Sequence, residues 1–251
     1  MDLQLQDRLV LVTGGSGDIG GAIAVAFGRE GARVVVGRHS RSERADEVVA
    51  TIRDLGGTAE AIHTDQGDPH SIQCAVAEIE AEHGSVDVFV GNAVSWPQPE
   101  QSWDALLHSL TVNLAGTITL AETVIPAMRS RGWGRIVLVS SDVVDQPMPA
   151  AAGYPAAKAG IEAAARVFAL REAQHGILTN VVRPGFTLTD RALTFPGFGQ
   201  AVVDAESEKT PTRRICTPED VASAIAYLGS GANAHINGQI VSVAGGRHLT
   251  R

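Results

Sequence analysis

Short runs rich in Val, Ile and Leu recur along the chain at Leu9–Val12, Arg33–Val36, Ala59–His63, Val86–Val90, Ile136–Val139, Leu178–Val182 and Gln239–Val243. Their apolar residues mostly follow one another instead of alternating with polar ones, which predicts strands buried on both faces. Between them the apolar residues take helical spacing, over Ile19–Arg29, Arg41–Leu55, Pro69–His83, Trp103–Arg129, Tyr154–Gln174 and Pro218–Leu228. Strand and helix alternate, and each parallel strand pair needs a crossover. An α/β fold with a parallel sheet covered by helices on both faces is therefore expected. Ligands then bind beyond the carboxyl ends of the strands. Residues 186–210 break the pattern, with Pro196, Gly197, Gly199 and little periodicity, and are read as a substrate-binding loop.

The 251 residues, 44% hydrophobic and 19% charged, hold core enough for one doubly wound domain spanning 1–251. A formal charge of −8 without a basic stripe argues against a nucleic-acid partner. Met1–Arg8 carries two aspartates and no apolar leader segment, and no run approaches the roughly 18 apolar residues of a membrane span, so a cytoplasmic location is expected. Cys74 and Cys216 form no C-x-x-C pair and the histidines show no zinc spacing; neither a disulfide nor a metal site is expected.

Directly after the first strand stands Thr13-Gly14-Gly15-Ser16-Gly17-Asp18-Ile19-Gly20, in which Gly15, Gly17 and Gly20 spell G-x-G-x-x-G. Such a turn is tight, lets the backbone approach a pyrophosphate, and presents free N–H groups at a helix start. The spacing alone suits a plain turn, but its place between strand and helix points to a dinucleotide. The second strand leads into Arg38-His39-Ser40-Arg41, where an NAD site would carry an acid for the ribose 2′-hydroxyl. Arg38, Ser40 and Arg41 instead offer donors to a 2′-phosphate, so NADP(H) is expected ahead of NAD(H). A solvated basic helix start is the plainer reading.

Tyr154 and Lys158 stand four apart in Tyr154-Pro155-Ala156-Ala157-Lys158, on one face of a helix that Pro155 allows only to begin there. An ammonium beside a phenol favours the phenolate, so Lys158 is expected to lower the Tyr154 pKa from about 10 and make a general acid or base of it. The pair by itself arises on many exposed helices. Ser141, at the end of the fifth strand and ahead of Tyr154, adds a third polar group.

With these residues the chain resembles the short-chain dehydrogenase/reductase family over nearly its whole length. The likeness runs through the glycine turn, Asp65, Gly91-Asn92-Ala93, Asn113, Ser141, Tyr154, Lys158, Pro184-Gly185 with Thr189, Pro218-Glu219-Asp220-Val221 and Asn237-Gly238-Gln239. It implies a Rossmann-type doubly wound sandwich whose seven-stranded parallel sheet carries helices on both faces. It implies that Ser141 holds the substrate oxygen, Tyr154 passes the proton, Lys158 binds the nicotinamide ribose and Asn113 holds a relay water. Asp65 and Gln66 would meet the adenine, Asn92 and Ala93 would shape the adenosine side, and Pro184, Gly185, Thr187 and Thr189 would face the carboxamide and phosphates. The helices Trp103–Arg129 and Tyr154–Gln174 would pair across a two-fold axis in a homodimer or homotetramer. Plainer roles exist: a turn former at Asp65, a strand end at Ser141, local hydrogen bonding at Asn113 and the threonines.

Two departures stand out. Asp18 occupies a glycine position of the family's shorter branch, although Gly14-x-x-Gly17-x-x-Gly20 matches the longer branch, and its carboxylate must point away from a pyrophosphate or cap the helix. Gly91-Asn92-Ala93-Val94-Ser95-Trp96 replaces the family's N-N-A-G and brings bulk to the cleft.

The resemblance is to ketoreductases of bacterial aromatic-polyketide pathways, of the angucycline kind, and to β-ketoacyl carrier-protein reductases. An NADPH-dependent ketoreductase for a small-molecule substrate, a bulky hydrophobic or aromatic ketone, is expected, its pocket lined by Trp96, Ser141, Val143, Val144, Met148, Tyr154, Phe186, Phe195 and Phe198. The phenylalanines equally suit an anchor for the loop. A secondary alcohol dehydrogenase is the nearby alternative. A dehalogenase-like lyase would carry arginine in place of Lys158, and a non-catalytic NADP(H)-binding regulator would not need Ser141, Tyr154 and Lys158 in register.

Overall fold

The computed structural model describes residues 1–40, 42–96, 102–147 and 152–250, so Arg41 and Met148 of the expected site lie outside the described residues. Strands β1 (Leu9–Thr13), β2 (Arg33–Arg38), β3 (Thr58–His63), β4 (Val88–Gly91), β5 (Gly134–Val139), β6 (Ile177–Pro184) and β7 (Ile240–Val243) form one parallel sheet in the order β3-β2-β1-β4-β5-β6-β7. The strand order reverses between β1 and β4. Connections leave the two strands in opposite directions there, which opens a crevice at their carboxyl ends.

Successive strand residues point to opposite faces, and both faces are covered. On one, α1 (Asp18–Arg29), α2 (Ser42–Asp54) and α9 (Pro218–Leu228) lay Ile23, Phe27, Ile52 and Ile225 on Val10, Val12, Val34 and Val36. On the other, α3 (Pro69–His83), α5 (Thr117–Arg131) and α6 (Gly153–Glu172) lay Ile72, Leu120, Ile125 and Ile161 on Leu9, Leu11, Phe89 and Ile136.

Three expectations need correction. The helix predicted over Trp103–Arg129 is α4 (Trp103–Leu110), then a π turn (Thr111–Gly116), then α5. Gly116 presses so closely on β3's exit that a Cβ there would lie 2.1 Å from the Gln66 carbonyl oxygen. The π turn leaves the apolar face of the helix in place, so hydrophobic spacing does not reveal it. Second, the continuous stretch Trp103–Arg131, 29 residues with a mean hydropathy of 1.2 over an 18-residue window, is long and apolar enough to cross a membrane by length and composition. Its Leu120, Val124, Ile125 and Met128 are buried in the core of this fold, as befits a core helix.

Third, the loop expected over 186–210 contains α7 (Asp190–Thr194) and α8 (Gln200–Lys209). Thr189 caps α7 by accepting the Ala192 N–H at 3.2 Å. Gly199, at φ +126°, makes the turn into α8 that a side chain would resist. The segment is tied to the stretch ahead of α9 where Leu188 N–H donates to the Cys216 carbonyl at 2.8 Å.

Candidate active site

The glycine turn closes on β4 with no room to spare. Gly14 sits at φ +62°, and a Cβ there would lie 2.7 Å from Ala93 Cα. A Cβ on Gly20 would lie 2.1 Å from the Gly14 carbonyl oxygen. Asn92 Nδ2 donates to the carbonyls of Thr13 and Gly14 at 3.0 and 3.2 Å. The Thr13 hydroxyl accepts the N–H groups of Asn92 and Ala93, each at 3.1 Å. The altered Gly91-Asn92-Ala93-Val94 segment thus keeps its backbone partners, and the first N–H groups of α1 have none within the helix.

Asp18 opens α1 with its carboxylate turned away from the turn. Oδ1 accepts from Arg44 Nη2 at 2.8 Å and Oδ2 from the Asp190 N–H at 3.0 Å. Arg44 also donates to Asp190 Oδ2 at 2.9 Å, so one guanidinium joins α1, α2 and α7. A cavity of about 560 Å³ opens beside this bridge, between Gly17, Arg44, Leu188 and Leu193.

At the end of β2 the Arg38 Nε is buried and has no hydrogen-bond partner among the described residues. His39 and Ser40 are exposed, and His39 Nε2 faces Asp65 Oδ2 at 3.6 Å. Asp65 Oδ1 accepts the Gly67 N–H at 2.7 Å, the geometry of a turn former. Gln66 Nε2 is engaged inward, donating to the Val112 carbonyl and the Thr117 hydroxyl at 3.1 Å each. Gly185 N–H donates to the Val243 carbonyl at 2.9 Å, while the Thr187 hydroxyl donates back to the Gly185 carbonyl at 2.8 Å. Thr189 is engaged as the α7 cap.

β5 delivers Ser141 to the crevice, where its Oγ accepts the Val143 N–H at 3.4 Å over a short 3-10 turn, Asp142–Val144. Val143 and Val144 are half-buried. α6 begins at Gly153, placing Pro155 in its first turn and Tyr154 and Lys158 one turn apart. Lys158 is fully buried, its Nζ donating to the Val139 carbonyl at 2.8 Å and lying 5.7 Å from the Tyr154 ring centroid. Asn113, in the π turn, clasps Ser95: Nδ2 donates to its carbonyl and Oδ1 accepts its N–H, both at 2.8 Å. That clasp sets Trp96 beside Tyr154, ring centroids 5.8 Å apart. Phe198 packs on Phe186 and Phe195 at 5.7 and 5.5 Å, so the three phenylalanines also brace their own segment.

A family model described as Enoyl-(Acyl carrier protein) reductase matches residues 15–248. The chain belongs to the short-chain dehydrogenase/reductase family. It is 32% identical over 251 residues to the acetoacetyl-CoA reductase of Cupriavidus necator, covering 98% of this chain and 100% of that one. It is 34% identical over 244 residues to the cis-4-hydroxycyclohexanecarboxylate dehydrogenase of Sinomonas cyclohexanicum, covering 96% of each. A crystal structure described as a short-chain alcohol dehydrogenase from Sinorhizobium meliloti 1021 superimposes with a TM-score of 0.92 over 100% of both chains, at 27% identity. This short-chain dehydrogenase/reductase is an oxidoreductase acting on CH–OH or C=O groups.

Its electrostatics correct one expectation. Burial drives the Tyr154 pKa up to about 12; the facing Ser141 hydroxyl and the Arg191 charge oppose the rise, and Asp142 adds to it. The Lys158 ammonium is held on the Val139 carbonyl of β5, and burial pushes its own pKa down to about 8. Burial also lifts Asp142 to about 6 and the Cys216 thiol to about 11, leaving that thiol unreactive.

The lysine shift has a measurable sign. A folded pKa of about 8 against 10.5 unfolded means that the unfolded chain binds more protons between those values, so stability rises with pH across that window. Urea unfolding at pH 7.5 and pH 10 should show the wild type gaining about 2 kcal/mol relative to Lys158→Met, which lacks the titration. An equal pH response in both proteins would remove the buried ammonium as its source.

The reading from sequence missed several residues of this site. Arg44 and Asp190 lack any local pattern, and Arg191, Glu162 and Arg183 meet their partners only through the fold. Asp142 alone left a trace, as an acid directly after Ser141.

Proposed function

We propose that this short-chain dehydrogenase/reductase is a cytoplasmic NADPH-dependent ketoreductase whose substrate is a bulky, flat ketone of the aromatic-polyketide kind. The observation that carries the reading is a protonated phenol, Tyr154, walled by the indole of Trp96. A phenol held near pKa 12 is a proton donor at neutral pH, which suits reduction, because the alkoxide formed from a ketone is the stronger base. The Trp96 face suits a planar ring better than a flexible chain.

The cofactor expectation rests on two features of the chain: a cradle in which Cβ atoms on Gly14 and Gly20 would clash, and the buried Arg38 Nε, which has no partner among the described residues. Gly15, Ser16, Gly17 and Ile19 would lie along the pyrophosphate, Arg38 and Ser40 would take the 2′-phosphate, and Asn92 and Ala93 would back the adenosine side. When bound, the dinucleotide supplies the hydride. Ser141 would donate a hydrogen bond to the substrate oxygen, Tyr154 would protonate it, and Lys158 would orient the nicotinamide ribose from its seat on Val139. Asn113 acts in this reading as a positioning residue that holds Ser95 and Trp96, and its side-chain amide is already engaged there. Val143, Val144 and Phe195 would line the substrate side.

Exposed Trp103 and Leu107 on α4 and Val167 and Leu170 on α6 support burial of these helices against a second copy, a homodimer or homotetramer that light scattering would read directly. A second reading is reduction of a β-ketoacyl thioester, favoured by the name of the Cupriavidus necator relative. NADPH absorbance with aromatic ketones and acetoacetyl-CoA separates the two. Aromatic ketones are expected to turn over faster, and NADPH to outperform NADH; faster thioester turnover would reverse the order.

A further inference from the structure

Arg191 stands beside Trp96 and Tyr154 with no acid paired to it among the described residues. Its guanidinium lies 4.6 Å from the Trp96 ring centroid and 3.7 Å from that of Phe195. Among the described residues, the one ionisable group acting on it is the Tyr154 phenol. The other arginines of this region are matched: Arg44 with Asp18 and Asp190, Arg183 with Glu162, Arg214 with Asp220, Arg247 with Glu206. A guanidinium stacked on aromatic faces keeps its in-plane N–H donors open, and those donors fit a planar oxyanion with two bonds. A cation left half-buried beside a neutral phenol is a local site for an anion.

From this arrangement we infer that the substrate ketone carries a carboxylate, which Arg191 pairs with while the ring lies on Trp96 and the carbonyl faces Tyr154. The inference rests on the reductase reading above and adds to it the charge of the substrate. Arg191 is a specificity-determining residue here and takes no part in proton transfer. Its charge also restrains the Tyr154 pKa, so its loss slows every substrate alike through the phenol. What marks carboxylate recognition is the ratio between an acid and its ester.

The test uses the full-length enzyme with NADPH and two substrates, a cyclic keto acid such as 4-oxocyclohexanecarboxylate and its methyl ester. The wild type is expected to prefer the acid in kcat/KM. Arg191→Met should cut that acid-to-ester ratio about 10- to 100-fold, mainly through KM, and Arg191→Lys should restore part of it. An unchanged ratio in Arg191→Met overturns the inference. Acetoacetyl-CoA provides the arm for a phosphate-bearing substrate: if its KM rises with the substitution and the keto acid's does not, the carboxylate assignment fails. Binding is measured separately, by calorimetric titration of 2-naphthoate into the NADP+-loaded protein. Loss of this binding in Arg191→Met supports the anion site even if no ketone is reduced, an outcome that would sink the reductase reading alone. Equal binding by both proteins overturns the site.

Discussion

Tyr154→Phe is expected to lower kcat for ketone reduction by about 10²- to 10⁴-fold, the span a positioned general acid contributes, while NADPH still binds. The substitution removes one oxygen and keeps the ring that packs 5.8 Å from Trp96, so the wall of the cleft survives. What disappears is a proton held at a pKa of about 12 and therefore present throughout the neutral range. Ser141 retains its hydroxyl and its 3-10 turn, and accounts for residual turnover by stabilising charge on the substrate oxygen. Steady-state kinetics with a fluorescence titration of NADPH checks both halves. Undiminished turnover would take the phenol out of the mechanism, and loss of NADPH binding would report a damaged fold instead.

Glu162→Ala is expected to destabilise the protein by about 3–5 kcal/mol, because it takes the buried bidentate partner from the Arg183 guanidinium and leaves it only the exposed carboxylate of Asp145. Glu162 and Arg183 have side-chain exposures of 6% and 10%. Glu162 Oε1 accepts from Arg183 Nε at 2.9 Å and from the Ser140 hydroxyl at 2.7 Å, and Oε2 accepts from Arg183 Nη2 at 2.7 Å. Arg183 Nη1 continues to Asp145, just past the turn that follows Ser141. One network therefore links the end of β5, α6 one turn beyond Lys158, β6 and that turn. Replacing both partners, Glu162→Leu with Arg183→Met, should recover most of the stability, since apolar packing can stand in for a buried pair. It should not recover full kcat, because the tie between the Ser141 segment and the Tyr154 helix is gone. Urea unfolding of the single and double variants decides this; a single variant as stable as the wild type would mean the pair is not buried in solution.

The strands were legible because residues buried on both faces write themselves as uninterrupted Val and Ile runs. The sites of Ser141, Tyr154 and Lys158 were legible as spacing, since a strand end and a helix start each fix a local geometry. Energetics were less legible. Lys158 was read as acting on Tyr154, but the Val139 carbonyl that holds its ammonium comes from another element. Glu162 and Arg183 lie 21 residues apart and meet across a strand and a helix. α7 and α8 were missed because each buries little: Ala192 in one and Val203 in the other are their buried residues. Short helices of that kind leave no lasting apolar stripe.

Asp18 sets up a further property of the molecule. Through Arg44 and Asp190 it fastens α7 to the helix that begins at the glycine turn, with charges that are partly open to water. An outward swing of α7 must pull these ions apart, and dissolved electrolyte shields such a separation. The contact of Arg191, itself on α7, with the rings of Trp96 and Phe195 is partly stacking and answers less to salt. Raising the ionic strength therefore loosens the tie at one edge of α7 and spares the stacking at the other.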